Sequence, residues 1–459
     1  MKLNSAFFLL LILSSAQIFA NISLPEIFSN NMVLQRNAEV KIWGWAKPGE
    51  EIKLSTSWSD EQLNTKGDRN GNWQIIFSTP DVSGSQEITI SGYNEVKLKN
   101  LLLGEVWLVS GQSNMEWSAG AGITNAEEAI AGAENDQIRF FSVAHRTAEN
   151  RQQDLDGSWV QSTPETMKNF SAVAYFFGKK LQEELGVPVG LINSSWGGTP
   201  AEVWVPSEAI ISNDSLAKAA KMLPDERWGP NEPGLLYNAM IAPLVPFKIQ
   251  GVLWYQGESN TSNAAYYEQL FSTLIKSWRD EWETEFPFYY AQIAPYDYGD
   301  NYSGVEIRDA QRRVRELPNT GMVMTSDIGN IKDIHPRNKL DVGLRFARLA
   351  LADHYGKEID DAYAPQFKKA EKDGSKVKIY FEHAEELHFD NGNKKSQFEL
   401  AGENGNFYPA SVKIRDNVII LRSVKVKEPK KVRFSWGNMS TSNLFNEADL
   451  PASSFRAEL

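Results

Sequence analysis

Hydrophobic and polar positions change rhythm twice along the chain. Between residues 21 and about 100 the apolar positions fall in short, often alternating runs. These are VKIWGWA (40–46), EIKLSTSW (51–58), NWQIIFS (72–78), QEITISG (86–92) and EVKLKN (95–100). Pro48-Gly49, Asn70-Gly71 and Ser83-Gly84-Ser85 punctuate them, and no segment of helical period intervenes. Short strands bounded by turn residues predict an all-β unit, a sandwich or meander.

From about residue 101 strand patterns alternate with helical ones. The strand candidates are EVWLVS (105–110), IRFFSV (138–143), VGLINSS (189–195), GVLWYQ (251–256), FYYAQI (288–293) and GMVMTSD (321–327). Segments 170–185, 264–282, 306–317 and 339–355 carry apolar residues at helical spacing. Alternation of this kind predicts a parallel sheet with helices on both faces, and such sheets bind ligands beyond the carboxyl ends of their strands. From about 363 the β texture returns, in KVKIYFE (376–382), QFELAG (397–402), SVKIRD (411–416), NVIILRS (417–423) and KKVRFSW (430–436). The expected organisation is therefore a leader over 1–20, a β-sandwich-like unit over 21–100, an α/β unit over 101–362 and a second β unit over 363–459.

The leader is read from MKLNSAFFLLLILSSAQIFA, in which one Lys precedes an apolar run too short to span a bilayer and then small residues. That layout predicts a cleavable export signal cut near Ala20, and a periplasmic or secreted protein with no membrane span. The chain has no cysteine, so its stability rests on core size, and thiol catalysis and Cys-ligated zinc are excluded. A net charge of −12 without a run of Lys or Arg argues against a nucleic-acid partner. Oligomeric state is not legible.

Candidate chemistry begins with GEVWLVSGQSNMEW (104–117), where a strand delivers Ser113 to its carboxyl end. Locally Ser113 is either a nucleophile on a strand-to-helix turn or a polar helix cap. There are five histidines. His335 follows the last strand of the α/β unit and precedes a helix, at the same sheet edge as Ser113, which favours it over His145 as a base. Asp333 lies two residues before it. In extended backbone, side chains at i and i+2 point the same way at roughly 6.5 Å, so its carboxylate can orient the imidazole. Oxyanion donors are on offer at two further strand ends: Gly197-Gly198 in INSSWGGTPAEVW and Gln256 in GVLWYQGESN.

In order along the chain, GQSNM (111–115), SSWGGT (194–199), LYNAMIAPL (236–244) running into GVLWYQGESN (251–260), and DIHP (333–336) resemble the four blocks of the SGNH hydrolases. Within them the likeness is to the sialate O-acetylesterases. Flanking segments NNMVLQR, IWGWAKPGE, FELAGENGNFYPA and LFNEADLPASSFR extend it across the mature chain. The resemblance implies a three-layer α/β/α, flavodoxin-like catalytic unit flanked by β-rich units. It also implies a serine esterase that removes O-acetyl groups from sugars without metal or cofactor. Ser113 becomes the nucleophile, His335 the base and Asp333 its orienting acid. The Ser113 amide, Gly198 and Gln256 become the oxyanion hole. Trp196, Asn114, Glu258 and Arg337 are candidates for contact with the sugar; Trp117, Trp204 and Trp254 also lie beside the blocks. The sequence departs from the superfamily in placing Asp two rather than three residues before His, and Gln256 where an Asn is usual. Deacetylation of a plant polysaccharide is the alternative within esterases. A non-catalytic carbohydrate-binding protein is the alternative outside them.

Overall fold

The strand Glu95–Gly111 runs through the molecule for 17 residues and organises it. Its first residues pair antiparallel with Gln86–Ser91, Leu102 to Gly104 pair with Val33–Gln35, and Glu105 to Gly111 form the middle of the central sheet. The computed structural model that shows this describes residues 21–224, 228–390 and 396–459; the expected leader lies outside the described residues. The central sheet has the order Thr320–Val323, Phe288–Ala291, Gly251–Tyr255, Glu95–Gly111, Val189–Ser195, Asn135–Ser142, Trp159–Ser162. Every neighbouring pair is parallel except the last.

Burial explains why these strands read as continuous apolar runs. Side chains alternate between the two faces of a strand, and successive residues of the central strands enter different cores. Val106, Leu108, Ile192, Val252 and Trp254 pack with the helices Tyr267–Trp282 and Ser303–Val314. Trp107, Val109, Leu191, Leu253 and Tyr255 pack with Ala172–Leu185 and Lys339–Asp353 on the other face. The result is three layers. The N-terminal strands, including Ala38–Trp45 and Asn72–Thr79, bury Ile42, Ile52, Trp73 and Ile75 in the same apolar cluster as the first face. Position 100, where a unit boundary is expected, falls inside the long strand.

The C-terminal residues have their own core around Ile379, Phe398, Leu421, Val432 and Phe455. Two four-stranded sheets enclose it. Arg308 joins this region to the three-layer unit. It is buried and donates to the carbonyls of Gly437 (2.5 Å) and Asn438 (3.2 Å). Among the described residues no helix is long and apolar enough to cross a membrane.

Gly111 closes the long strand at φ +130°, and a Cβ there would lie 2.3 Å from the Tyr255 carbonyl oxygen. Neither the dihedral nor the contact is open to another residue. Gly111→Ala is expected to lower stability by about 2–4 kcal/mol in urea titration and to lose activity with it. A variant as stable as the parent would contradict this account of the turn.

Candidate active site

The segment 111–116 is tied on both sides before any catalytic group is considered. The Gln112 N–H donates to the Tyr255 carbonyl (3.0 Å), and the Trp196 N–H donates to the Gly111 carbonyl (3.0 Å). A single helical turn, Ser113–Glu116, then begins, with Met115 and Glu116 both donating to the Gln112 carbonyl. The Gln112 side chain accepts from the N–H groups of Gly257 (3.3 Å) and Ser259 (3.2 Å), fastening the third block to the first. Met115 is buried in the core. Ser113 is thus left partly exposed on a rigid step at the carboxyl end of the sheet.

His335 meets it there. The distance from His335 Nε2 to Ser113 Oγ is 2.9 Å, and the imidazole stacks on Trp117 with centroids 4.3 Å apart and planes 18° apart. Burial, and after it the charge of nearby Lys339, pushes the His335 pKa below its ordinary value, and Asp333 opposes both. A neutral ring that accepts from Ser113 is therefore kept to lower pH. His145 makes no bond to Ser113 among the described residues; it stacks on Trp196 and pairs with Glu116 (3.0 Å).

Two backbone N–H groups in the same two blocks have no protein partner among the described residues. Among the described residues no hydrogen bond is made by the N–H of Ser113 or of Gly198, whereas the Gly197 N–H donates to Glu116 (2.7 Å). Gly198 has φ +74°, and a Cβ there would come within 2.8 Å of Trp228 Cβ. A nucleophile, a base and free amides on one sheet edge form a candidate acyl-transfer centre.

The comparisons place the chain among known proteins. A family model described as "Carbohydrate esterase, sialic acid-specific acetylesterase" matches residues 103–352. The chain belongs to this family of carbohydrate esterases. Sialate O-acetylesterase of Homo sapiens is 31% identical over 375 residues, 72% of this chain and 70% of that protein. That of Rattus norvegicus is 32% identical over 408 residues, 74% and 75% of the two chains. A carbohydrate acetylesterase from Xanthomonas citri superposes with a TM-score of 0.87 at 34% identity, covering 95% of this chain and 99% of the other.

In this esterase several expected site residues are differently employed. The Asp333 carboxylate accepts from the backbone N–H of His335 (3.0 Å), and no hydrogen bond or ion pair joins it to the imidazole among the described residues. Side chains at i and i+2 share a face only in extended backbone. The segment is instead a turn, with Asp333 N–H donating to the Asn330 carbonyl (3.1 Å), where Asp favours bonding to backbone two residues on. Gln256 is fully buried, so its amide is spent behind the site. It donates to Thr199 O (3.2 Å) and Asn260 Oδ1 (2.7 Å), and its oxygen accepts from the Tyr267 hydroxyl (2.9 Å). It is not a free oxyanion donor.

Asn114 and Glu258, expected at the sugar, are also buried. Asn114 donates to Glu258 Oε1 (2.6 Å) and to the Ile334 carbonyl (2.9 Å), and accepts from Lys339 Nζ (2.6 Å). This chain of bonds links the serine turn, the third block and the histidine loop. Burial raises the Glu258 pKa and lowers that of Lys339 to about 7. Lys339 escaped the sequence reading as a cation at a helix start. It does lie on the stripe of Val342, Gly343 and Phe346, and that spacing is the signal for its burial. Trp204 and Trp254 are core residues, whereas Trp117 and Trp196 are partly exposed at the site. Arg337 is exposed near Gly122, with no side-chain partner among the described residues.

The Lys339 cation disfavours protonation of His335, so removing it should raise the His335 pKa. In Lys339→Met the acid limb of the kcat/KM profile is expected to move to higher pH, while Lys339→Arg keeps it near that of the parent. A limb that stays in place in Lys339→Met would contradict the coupling.

Proposed function

We propose that this esterase removes O-acetyl groups from sugars through a Ser113–His335 pair, with 9-O-acetylated sialic acid as the favoured substrate. The observation that carries the reading is the 2.9 Å contact between His335 Nε2 and Ser113 Oγ beside two unpaired backbone N–H groups. Ser113 Oγ attacks the acetyl carbonyl carbon as its proton passes to His335 Nε2. The tetrahedral oxyanion forms against the Ser113 and Gly198 N–H groups; one such donor is typically worth about 10²–10³ in rate. Collapse breaks the ester bond, and the sugar oxygen leaves with the proton from His335. Water, deprotonated by His335, then attacks acetyl-Ser113; acetate departs and the proton returns to Ser113 Oγ.

Asp333 acts in this scheme through its charge and through the turn that fixes His335, not through a bond to Nδ1. Arg337 is the group that favours a carboxylated sugar, because an exposed guanidinium two residues from the base can hold a carboxylate in bidentate fashion. The N-terminal sequence supports export to the periplasm or the medium.

Ser113→Ala and His335→Ala should each reduce acetate release from 9-O-acetyl sialic acid by at least about 10³-fold. Asp333→Asn should cost about tenfold or less, since no ring tautomer depends on it. Retained activity in either of the first two would overturn the assignment. Arg337→Gln should raise KM for the acetylated sialic acid about fivefold and leave an acetylated xylo-oligosaccharide unaffected. Equal effects on both sugars would point to the polysaccharide instead.

A further inference from the structure

A cavity of about 620 Å³ lies between the N-terminal strands and the segments around Gln152 and Pro243, and none of the residues of the catalytic site lines it. Its floor comes from one face of an antiparallel pair. Along Ala38–Trp45, Val40, Ile42 and Gly44 are buried, while Lys41, Trp43 and Trp45 stand on the opposite, half-exposed face. The register sets Trp43 opposite Gln74 and Trp45 opposite Asn72. Directly opposed residues of such a pair share a face, so two indoles and two carboxamides lie side by side. Gln152 and Gln153 enter from the far wall with Pro243 and Pro246, and Trp45 Nε1 donates to Gln153 Oε1 (3.3 Å).

The chemistry of this lining is selective. It contains no histidine and no arrangement of nucleophile and base. Of its charged groups, Lys66 is paired with Glu51 (3.0 Å), and Asp68 accepts from the N–H groups of Asn70 (2.7 Å) and Asn72 (2.8 Å). Lys41 is left as a cation with no ion-pair partner among the described residues. One free cation is too little for a polyanionic backbone, and the carboxamides are too polar for an acyl chain. A carboxamide offers donors and an acceptor together, as a ring hydroxyl does, and an indole face covers the apolar C–H face of a pyranose. The volume is that of a ligand cavity.

We infer that this cavity is a second, non-catalytic glycan-binding site, which holds an oligosaccharide segment on Trp43, Trp45, Asn72 and Gln74. From the proposed function the inference takes only that the enzyme works on glycans. The two fail separately, because binding here is measured on deacetylated polymers and catalysis on a small ester.

The test is affinity electrophoresis of Ser113→Ala through gels containing base-treated xylan, mannan or galactan. Retardation is expected in at least one gel. Adding Gln74→Ala or Trp45→Ala to Ser113→Ala should weaken it about tenfold, the worth of about 1.4 kcal/mol. In the parent background the same two substitutions should leave hydrolysis of p-nitrophenyl acetate unchanged, which shows that the fold survives. Absence of retardation in all three gels would overturn the inference. Retardation kept by both variants, Gln74→Ala being on an exposed strand position, would overturn it equally.

Discussion

Everything at the site depends on how the long central strand ends. Gly111 and Gln112 are bonded on one side to Tyr255 and on the other to the start of the Trp196 loop. The turn that follows therefore has no freedom to move relative to two neighbouring strands. Ser113 inherits that rigidity. The Gly111 position must allow a positive φ and an approach to a carbonyl that no Cβ could make, so the glycine is a condition for the placement of Ser113.

From that fixed step the remaining contacts radiate through buried polar atoms. Gln112 holds the third block, Asn114 holds both Glu258 and the loop that bears His335, and Glu116 occupies the Gly197 N–H and pairs with His145. Each residue from 111 to 116 thus has an assigned partner, and the motif is legible as a set of tethers. Burying Lys339 and Glu258 around Asn114 is costly in desolvation, and their hydrogen bonds to Asn114 offset part of that cost. Together with burial, the Lys339 charge lowers the His335 pKa.

Much of this was visible in the sequence, and the failures have identifiable causes. The strand–helix alternation and the sheet edge on which Ser113 and His335 meet follow from periodicity and from where strands stop. Polar residues at strand ends were harder, because periodicity does not say whether Gln256, Asn114 or Glu258 faces the ligand or the interior. All three proved to be internal. Asp333 makes no bond to the imidazole among the described residues because a turn stands where extended backbone was expected, and its carboxylate accepts a main-chain N–H. The imidazole is held instead by stacking on Trp117, a contact between residues 218 positions apart that no local pattern announces. The N-terminal unit was legible as strands but not as part of the catalytic core, since the sharing of one apolar cluster is a property of packing.

In the proposed mechanism Ser113 carries the acetyl group between the two halves of the reaction. Acid quenching during turnover of an acetylated sugar, followed by peptide mass analysis, tests it directly. Acetylation is expected on the peptide containing Ser113, and none in His335→Ala treated alike. Acetate release at the parent's full rate with Ser113 never acetylated would contradict it.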